Sequence, residues 1–193
     1  MRNLLKLDVK RYVDYAINKL HRSGTTVRLS KEATPDNVKA GNFDAVIVAT
    51  GSTCVIPPIE GVNGDNVRLS GEVFMDDLVG DTSVVIGGGL VGCEAALMIE
   101  RDYGKKAIIV ESLPDILQTV QHALTNDLKL RQMIATEPIE AICSAKVTKI
   151  DDTGIHYAKD GNQHNIPCDT VVIACGYSPR NELFEELQEV VQE

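Results

Sequence analysis

Hydrophobic side chains in the first quarter of the chain follow two different spacings. Over 8–22 they recur every three to four residues, which is typical of one face of an α-helix. Over 43–49 they form a continuous run, which is typical of a strand buried on both faces of a sheet. Between these segments, 26–29 indicates a short strand, and Thr34 followed by Pro35 indicates the N-cap and first turn of a helix. The chain therefore predicts helices in alternation with strands.

A short buried-type strand, a glycine-rich turn and a helical pattern follow one another over 83–102. Each glycine of the G-x-G-x-x-G spacing has a physical role in such a turn. Gly87 would let the chain turn sharply from strand to helix. Gly89 would leave room for a pyrophosphate against bare backbone, and Gly92 would let the helix pack closely on the strand. The turn therefore predicts a dinucleotide site.

The helix that starts in this turn would point the N–H groups of Leu90 and Val91 at the phosphates, at the positive end of its dipole. Glu111 ends the next apolar run, 107–110, and lies about 20 residues beyond the turn, where the fingerprint requires an acid for a ribose diol. The structural alternative is a strand–turn–helix that binds nothing. The position of Glu111 favours the dinucleotide site.

The second half of the chain predicts a weakly patterned, broken helix over 115–136 and then a small antiparallel β-meander. The meander would consist of four short segments separated by hairpin turn signals: 141–143, 146–150, 154–158 and 163–166. A further buried strand follows at 169–174. Its segment, Asp169–Gly176, repeats the pattern of Asp44–Gly51, an Asp followed by β-branched residues and a closing glycine. We interpret this as a weak internal repeat of two nucleotide-binding units, with chance similarity between buried strands as the alternative.

Composition narrows the function classes. The chain has 193 residues and a net charge of −9, so it lacks the basic stripe that a nucleic-acid partner would require. It has neither an apolar stretch near the ~20 residues of a membrane span nor the apolar core of a signal peptide, and a cytoplasmic location is expected. Its five cysteines form no C-x-x-C pair, so we expect no metal or iron–sulfur site here. Cys175, at a strand end before a glycine, leaves a reactive thiol as an alternative to packing.

These pieces resemble the two-dinucleotide-binding-domain flavoproteins, the pyridine-nucleotide-dependent oxidoreductases. The resemblance rests on Ala49-Thr50-Gly51 with Pro57–Gly61, on Gly87–Glu94, and on Gly176–Asn181. Residues 84–94 are most similar to the C-terminal region of old-yellow-enzyme-type enoate reductases, 2,4-dienoyl-CoA reductases and NADH oxidases.

The resemblance implies an α/β fold of the Rossmann-like FAD/NAD(P)-binding type, with a parallel central sheet, helices and the small antiparallel β-meander. It implies a partial FAD-binding domain and crossover linker over 1–79 and an NAD(P)H-binding domain over 80–178. Residues 179–193 would start the return to the FAD domain. The remaining domains of a parent flavoenzyme would be partners of this piece.

In such enzymes hydride passes from NADH to FAD, and electrons cross a 4Fe-4S cluster to FMN, which reduces an activated C=C bond. This chain lacks the FAD glycine fingerprint, the downstream Gly-Asp motif, the cluster cysteines and the flavin barrel. FAD, FMN and the 4Fe-4S cluster are therefore expected only in a full-length parent, and the piece is expected to be inactive and to bind FAD weakly. No side chain is expected to be catalytic. A non-catalytic Rossmann-type module is the alternative function, and an S-adenosylmethionine-dependent transferase is disfavoured.

The resemblance also assigns roles to further residues. Glu94 would lie near the nicotinamide and accept its carboxamide N–H, with a first-turn acid that complements the helix dipole as the alternative. Gly176 would let backbone approach the nicotinamide side. Thr50 and Gly51 would face the FAD of the intact protein.

Two further expectations concern charge and association. NADH is favoured over NADPH because Glu111 would repel a 2′-phosphate and 112–114 offers no cation. The acidic tail over 182–193 has apolar residues at helical spacing, and if left exposed it could drive self-association.

Overall fold

The computed structural model of the chain describes residues 7–75, 78–118 and 124–191. The described residues group into two compact units. The first unit is Cys54–Tyr177 without the gaps, and the second joins the residues up to Thr53 with those from Ser178 onward. The predicted linker part 54–79 thus shares a unit with the glycine-rich turn. Assigning the units to NAD(P)H-binding and FAD-binding domains stays a prediction, and the extreme ends of 1–79 and 179–193 lie outside the described residues.

The described residues form six helices and ten strands. The helices are α1 (Leu7–Arg22), α2 (Pro35–Ala40), α3 (Ser70–Met75), α4 (Leu90–Arg101), α5 (Leu124–Thr136) and α6 (Glu182–Val191). The strands are β1 (Ser52–Cys54), β2 (Val67–Leu69), β3 (Thr82–Ile86), β4 (Lys106–Val110), β5 (Glu140–Ile142), β6 (Lys146–Asp151), β7 (Gly154–Lys159), β8 (Asn162–Pro167), β9 (Thr170–Ile173) and β10 (Tyr177–Pro179). Among these described helices, none combines the length and the apolar character that a membrane crossing requires.

The main sheet of the first unit is parallel and has five strands in the order β2-β9-β3-β4-β5. The chain runs from β3 outward to β4 and β5 and returns to place β9 on the other side of β3. The strand order therefore reverses between β3 and β9, and in open parallel sheets ligands bind at the carboxyl ends of the strands beside such a reversal. The glycine-rich turn follows β3 directly. The predicted α/β fold with a parallel central sheet is confirmed.

Successive residues along the strands point to opposite faces of the sheet and pack into two separate hydrophobic cores. Val85 and Ile109 pack with α3, α4 and α5 on one face. Val84 and Ile108 pack with the antiparallel sheet β6-β7-β8 on the other face. Because both faces are covered, the central strands are apolar on both sides, as buried parallel strands must be.

The antiparallel meander is confirmed for β6, β7 and β8, but its first predicted segment belongs elsewhere. Residues 141–143 were expected in the meander, whereas β5 pairs in parallel with β4, with Val110 opposite Ile142. Turn signals mark where a strand ends and do not indicate which strand it will pair with. The β7–β8 hairpin turns at Asp160 and Gly161, which both have positive φ, as a two-residue turn of this kind requires.

The second unit contains the helices that the sequence predicts at its start. α1 covers the predicted 8–22 segment. At α2, Thr34 Oγ1 accepts a hydrogen bond from the Asn37 N–H at 3.4 Å, and the Asn37 side chain accepts one from the Thr34 N–H at 3.1 Å. α6 covers the described part of the predicted tail helix, and residues 192–193 lie outside it.

Two strands predicted in the second unit, over 26–29 and 43–49, are not strands in the structure. The expectation of full burial for 43–49 is also wrong, because Ile47 is 92% and Phe43 65% exposed. A strand requires a neighbour that takes up its N–H and C=O groups. Among the described residues, no backbone hydrogen bond joins 43–49 to a neighbouring segment other than its own turn.

The broken helix predicted over 115–136 is helical from Leu124 onward. Residues 115–118 form bends and turns, and 119–123 lie outside the described residues. The non-helical part contacts the glycine-rich turn, as described below.

Candidate functional site

Gly87 occupies a position that only glycine fits. Its φ is +106°, and a Cβ there would lie 2.5 Å from the carbonyl oxygen of Ala174. Its N–H donates to Val110 O at 3.0 Å. The Gly87 N–H is therefore engaged within the sheet, and the contribution of this glycine is the sharp turn itself.

Gly92 brings the start of α4 against the ends of two strands. A Cβ at Gly92 would lie 1.8 Å from Gly87 O and 3.3 Å from Ala174 Cβ. Gly89, the N-cap of α4, differs, because its φ of −74° and ψ of −172° are extended values that any residue adopts. Gly92 is thus required by close packing, whereas the backbone at Gly89 would accommodate a side chain.

The first turn of α4 presents unpaired backbone donors. The first bond into the helix runs from the Cys93 N–H to Gly89 O at 3.0 Å. The earlier N–H groups, including those of Leu90 and Val91, have no acceptor among the described residues, as the start of any helix dictates. Leu90 and Val91 are half-buried, and an anion can reach them. This is the geometry of an anion site at a helix N-terminus.

Glu111 is buried, with 8% of its surface exposed, and both of its carboxylate oxygens are engaged. Oε2 accepts the Gly88 N–H at 2.5 Å. Oε1 accepts the Leu113 N–H at 2.8 Å and the Ser112 hydroxyl at 3.0 Å. A carboxylate offers about four acceptor positions, so about one remains for a ribose hydroxyl. A second becomes available if Ser112 rotates away.

This bracing role of Glu111 and the constraint on Gly88 were not predicted from the sequence. A Cβ at Gly88 would lie 2.8 Å from Ile116 Cγ2 and 3.2 Å from Glu111 Cβ. The only signal in the sequence was Gly88 itself, the middle glycine of the triplet, which the G-x-G-x-x-G spacing does not require.

The segment after Glu111 is clamped onto the turn. The Leu117 N–H donates to Gly88 O at 2.7 Å. Arg131, on α5, donates from Nη2 to Ile116 O at 2.5 Å and from Nη1 to Asp115 Oδ2 at 2.7 Å. Arg131 is therefore a positioning residue for this segment, and no local pattern in the sequence indicated it.

A cavity of about 420 Å³ opens beside Gly87 and Glu111. Apolar side chains from the segment after β1 and from the meander form part of its wall: Pro58, Ile59 and Val147. Its polar groups come from β6 and the end of β4: Glu111, Ser112, Lys146 and Thr148. The cavity can hold a flat apolar group next to a carboxylate, and it contains a lysine that the sequence analysis did not associate with Glu111.

Glu94 and Gly176 lie in the first unit with the turn. Glu94 is half-buried in the second turn of α4, and no acid lies in the first turn. The alternative reading of Glu94 as a first-turn acid is therefore wrong, since dipole effects are confined to the terminal turn. Gly176 has a φ of +102°, and open space surrounds the position that its Cβ would take. A ligand can therefore approach the backbone there.

The cysteines of the chain are all unpaired, and the structure disfavours a reactive thiol. Cys175 is exposed as a residue, but the surrounding protein desolvates its sulfur and raises the pKa to about 11. Burial raises the pKa of Cys93 to about 12. A thiol with a raised pKa is scarcely ionised at neutral pH and is a poor nucleophile. Within the described residues, no group of acidic, histidine or cysteine side chains is arranged to hold a metal ion.

Thr50 and Gly51 lie in the second unit. Thr50 Oγ1 donates to Arg180 O at 2.6 Å, and the Arg180 N–H donates to Gly51 O at 3.0 Å. Gly51 has a φ of +78°. These bonds tie the end of the 43–51 segment to the segment before α6.

The reversal of strand order, the glycine turn and the unpaired N–H groups define a Rossmann-like dinucleotide-binding α/β protein. The chain belongs to the pyridine nucleotide-disulphide oxidoreductase family, whose model matches residues 4–192. The family resemblance predicted from the sequence is confirmed.

Individual relatives show which members of this family the chain is similar to. The chain is 35% identical over 169 residues to a cinnamate reductase of Clostridium sporogenes, covering 86% of this chain and 25% of the relative. It is 35% identical over 193 residues to an NADH oxidase of Thermoanaerobacter brockii, covering 95% and 29%. The solved structure of a 2-naphthoyl-CoA reductase in complex with 2-naphthoyl-CoA superposes with a TM-score of 0.80 at 25% identity, covering 93% of this chain and 27% of that one. The chain thus spans between 25% and 29% of the length of these relatives.

Proposed function

We propose that this chain is the NADH-binding portion of a flavin-dependent oxidoreductase that reduces an activated C=C bond, as in enoate or 2,4-dienoyl-CoA reductases, or that acts as an NADH oxidase. The observation that carries the proposal is the close packing of Gly92 on Gly87 O, which sets the unpaired N–H groups of Leu90 and Val91 at the carboxyl edge of the sheet. The family and the names of the relatives support the same class of reaction.

The residues of the first unit fit a dinucleotide. The N–H groups of Leu90 and Val91 would hold the pyrophosphate, with Gly89 leaving room for it. Glu111 would accept a ribose hydroxyl, and the cavity beside it would take the adenine. The open backbone at Gly176, with Glu94, would receive the nicotinamide end. NADH supplies a hydride when bound, and the protein contributes binding and orientation.

The residues of the second unit do not fit FAD by themselves. The hydroxyl of Thr50 is already bonded to Arg180 O, and the sequence provides no second glycine fingerprint for a flavin pyrophosphate. We therefore expect the purified chain to carry no stoichiometric flavin, which its visible absorbance checks. FAD, FMN and a 4Fe-4S cluster are assigned only to a full-length parent.

The apolar face of α1 is exposed at Tyr12, Val13 and Ile17. The remaining domains of the parent would cover this face, and in their absence it favours self-association. The unpaired cysteines and the net negative charge suit a cytoplasmic enzyme.

The test of the proposed function is NADH binding by the purified chain and by Gly89→Val. The φ and ψ of Gly89 are values that valine also adopts, but its side chain would occupy the pyrophosphate's space. We expect binding to weaken at least tenfold, which corresponds to about 1.4 kcal/mol. Gly71→Val, at an exposed helical glycine without positive φ, is the matched control. It should bind NADH as the unmutated 193-residue chain does, which is called the parent chain below. Absence of NADH binding by the parent chain, or equal binding by Gly89→Val, would overturn the proposal.

A further inference from the structure

Lys146, the first residue of β6, lines the same cavity as Glu111 and Ser112. It is exposed, and among the described residues its ammonium group has neither a hydrogen bond nor an ion pair. Lys149 on the same strand differs, because its Nζ lies 3.6 Å from Glu60 Oε1. Lys146 is thus a cation without a described partner, and it lines the same cavity as the carboxylate that would hold the adenosine ribose.

A cation at this place changes the expected cofactor preference. A 2′-phosphate on the adenosine ribose needs a positive group to offset an acid at the end of the second strand. Residues 112–114 contain none, which is why the sequence favours NADH. The folded chain supplies a lysine from another strand, and its flexible four-carbon stem lets the ammonium group follow the phosphate.

The oxygens of Glu111 also have fewer free acceptor positions than the sequence suggests, although the carboxylate would still repel a phosphate. Its two oxygens already accept hydrogen bonds from Gly88, Ser112 and Leu113. Ser112 can rotate its hydroxyl from Glu111 toward a phosphate oxygen, because a hydroxyl serves as donor to either group. The cavity lining therefore includes a cation and a rotatable donor together with the carboxylate proposed to bind the ribose.

We propose that Lys146 is a specificity-determining residue that lets this chain bind NADPH as well as NADH. Lys146 contacts the 2′-phosphate of the adenosine ribose and offsets its repulsion by Glu111. The inference rests on the proposed function, because it places the adenosine end of the dinucleotide in this cavity.

The test compares the dissociation constants of NADH and NADPH for the parent chain, Lys146→Met and Lys146→Arg. Methionine replaces the side chain up to Cε and removes the charged group. We expect Lys146→Met to weaken NADPH binding at least tenfold and to change NADH binding less than twofold. Lys146→Arg, which keeps the charge, should retain NADPH binding, and NADPH affinity should fall more steeply with salt than NADH affinity.

Lys149→Met is the matched control, since Lys149 lies on the same strand outside the cavity lining. It should leave both constants unchanged. The inference fails if the parent chain binds NADH but not NADPH, or if Lys146→Met changes neither dissociation constant. It also fails if Lys146→Met weakens NADH and NADPH binding by the same factor, because the lysine would then act at the pyrophosphate that both dinucleotides share. In these three cases NADH binding by the parent chain still supports the proposed function. Loss of binding of both dinucleotides by the parent chain would instead overturn the proposed function, and this inference with it.

Discussion

The buried carboxylate of Glu111 accepts the backbone N–H of Gly88 through a 2.5 Å hydrogen bond from N to Oε2. The two parts of the dinucleotide fingerprint, the glycine turn and the acid beyond the next strand, are therefore one bonded unit. The acid proposed to bind a ribose hydroxyl also fixes the turn that would bind the phosphates. Stability and cofactor affinity are accordingly expected to change together at this position.

Glu111→Gln tests this coupling. The amide has one oxygen in place of two, so the N–H of either Gly88 or Leu113 would lose its acceptor while remaining in the folded protein. Loss of a partner for a buried donor costs about 1–3 kcal/mol. We expect the free energy of unfolding in urea to fall by that amount and NADH to bind more weakly. Glu140→Gln, at an exposed residue of β5, should leave both unchanged, and a Glu111→Gln variant of unaltered stability would contradict the bracing role.

Gly92→Ala tests the close approach of α4 to the strand ends. The added Cβ would lie 1.8 Å from Gly87 O, so the helix would have to move away from the sheet. We expect a loss of about 3 kcal/mol or more in the free energy of unfolding. Gly71→Ala, whose Cβ would lie 3.8 Å from Tyr177 Oη, should instead gain about 0.5–1 kcal/mol from helix propensity. Equal effects from the two substitutions would refute the packing argument.

The lowered pKa of Asp151 predicts a pH dependence of stability that is independent of cofactor binding. Hydrogen bonds from Thr153 and His156 hold the pKa of Asp151 below its ordinary value; the His156 Nε2 atom lies 2.7 Å from Asp151 Oδ2. A carboxyl group whose pKa is lowered by folding stabilises the protein above its unfolded pKa, and this contribution is lost as pH falls toward the folded pKa.

We expect the melting temperature of Asp151→Asn to lie below that of the parent chain above about pH 5, and the difference to shrink as pH falls toward about 2. Thermal unfolding across this range checks the prediction. Asp152→Asn, at the exposed neighbouring residue, should show no such trend. A difference that grows toward low pH would have the wrong sign for this cause.

Cys175 is expected to react slowly despite its place at a strand end. A pKa of about 11 leaves a thiolate fraction at neutral pH that is roughly a hundredfold below that of an ordinary cysteine. Alkylation of the native chain by iodoacetamide at pH 7.5, followed by peptide mass spectrometry, should therefore show Cys175 largely unmodified. The same cysteine should be alkylated at the ordinary rate in denaturant. Rapid labelling in the native state would restore the reactive-thiol alternative.

The sequence by itself determined the local elements of the first unit. The glycine spacing over 87–92, the apolar run over 107–110 and the hairpin turn at Asp160 and Gly161 are each readable within a few residues. Backbone freedom, burial periodicity and turn preference act between near neighbours along the chain. The strand–turn–helix and the three strands β6, β7 and β8 of the meander could therefore be predicted without coordinates, whereas the parallel sheet was implied by the family resemblance.

Tertiary structure decided which segments meet. The segments Asp44–Gly51 and Asp169–Gly176 share one pattern, yet the second contains the buried strand β9, between β2 and β3, and the first forms no strand. A run of apolar residues indicates that a segment can be buried. A strand also requires neighbouring segments that pair with its backbone N–H and C=O groups. The Gly88–Glu111 bond and the place of Lys146 in the cavity likewise depend on contacts between strands that are distant in sequence, and only the folded chain brings these residues together.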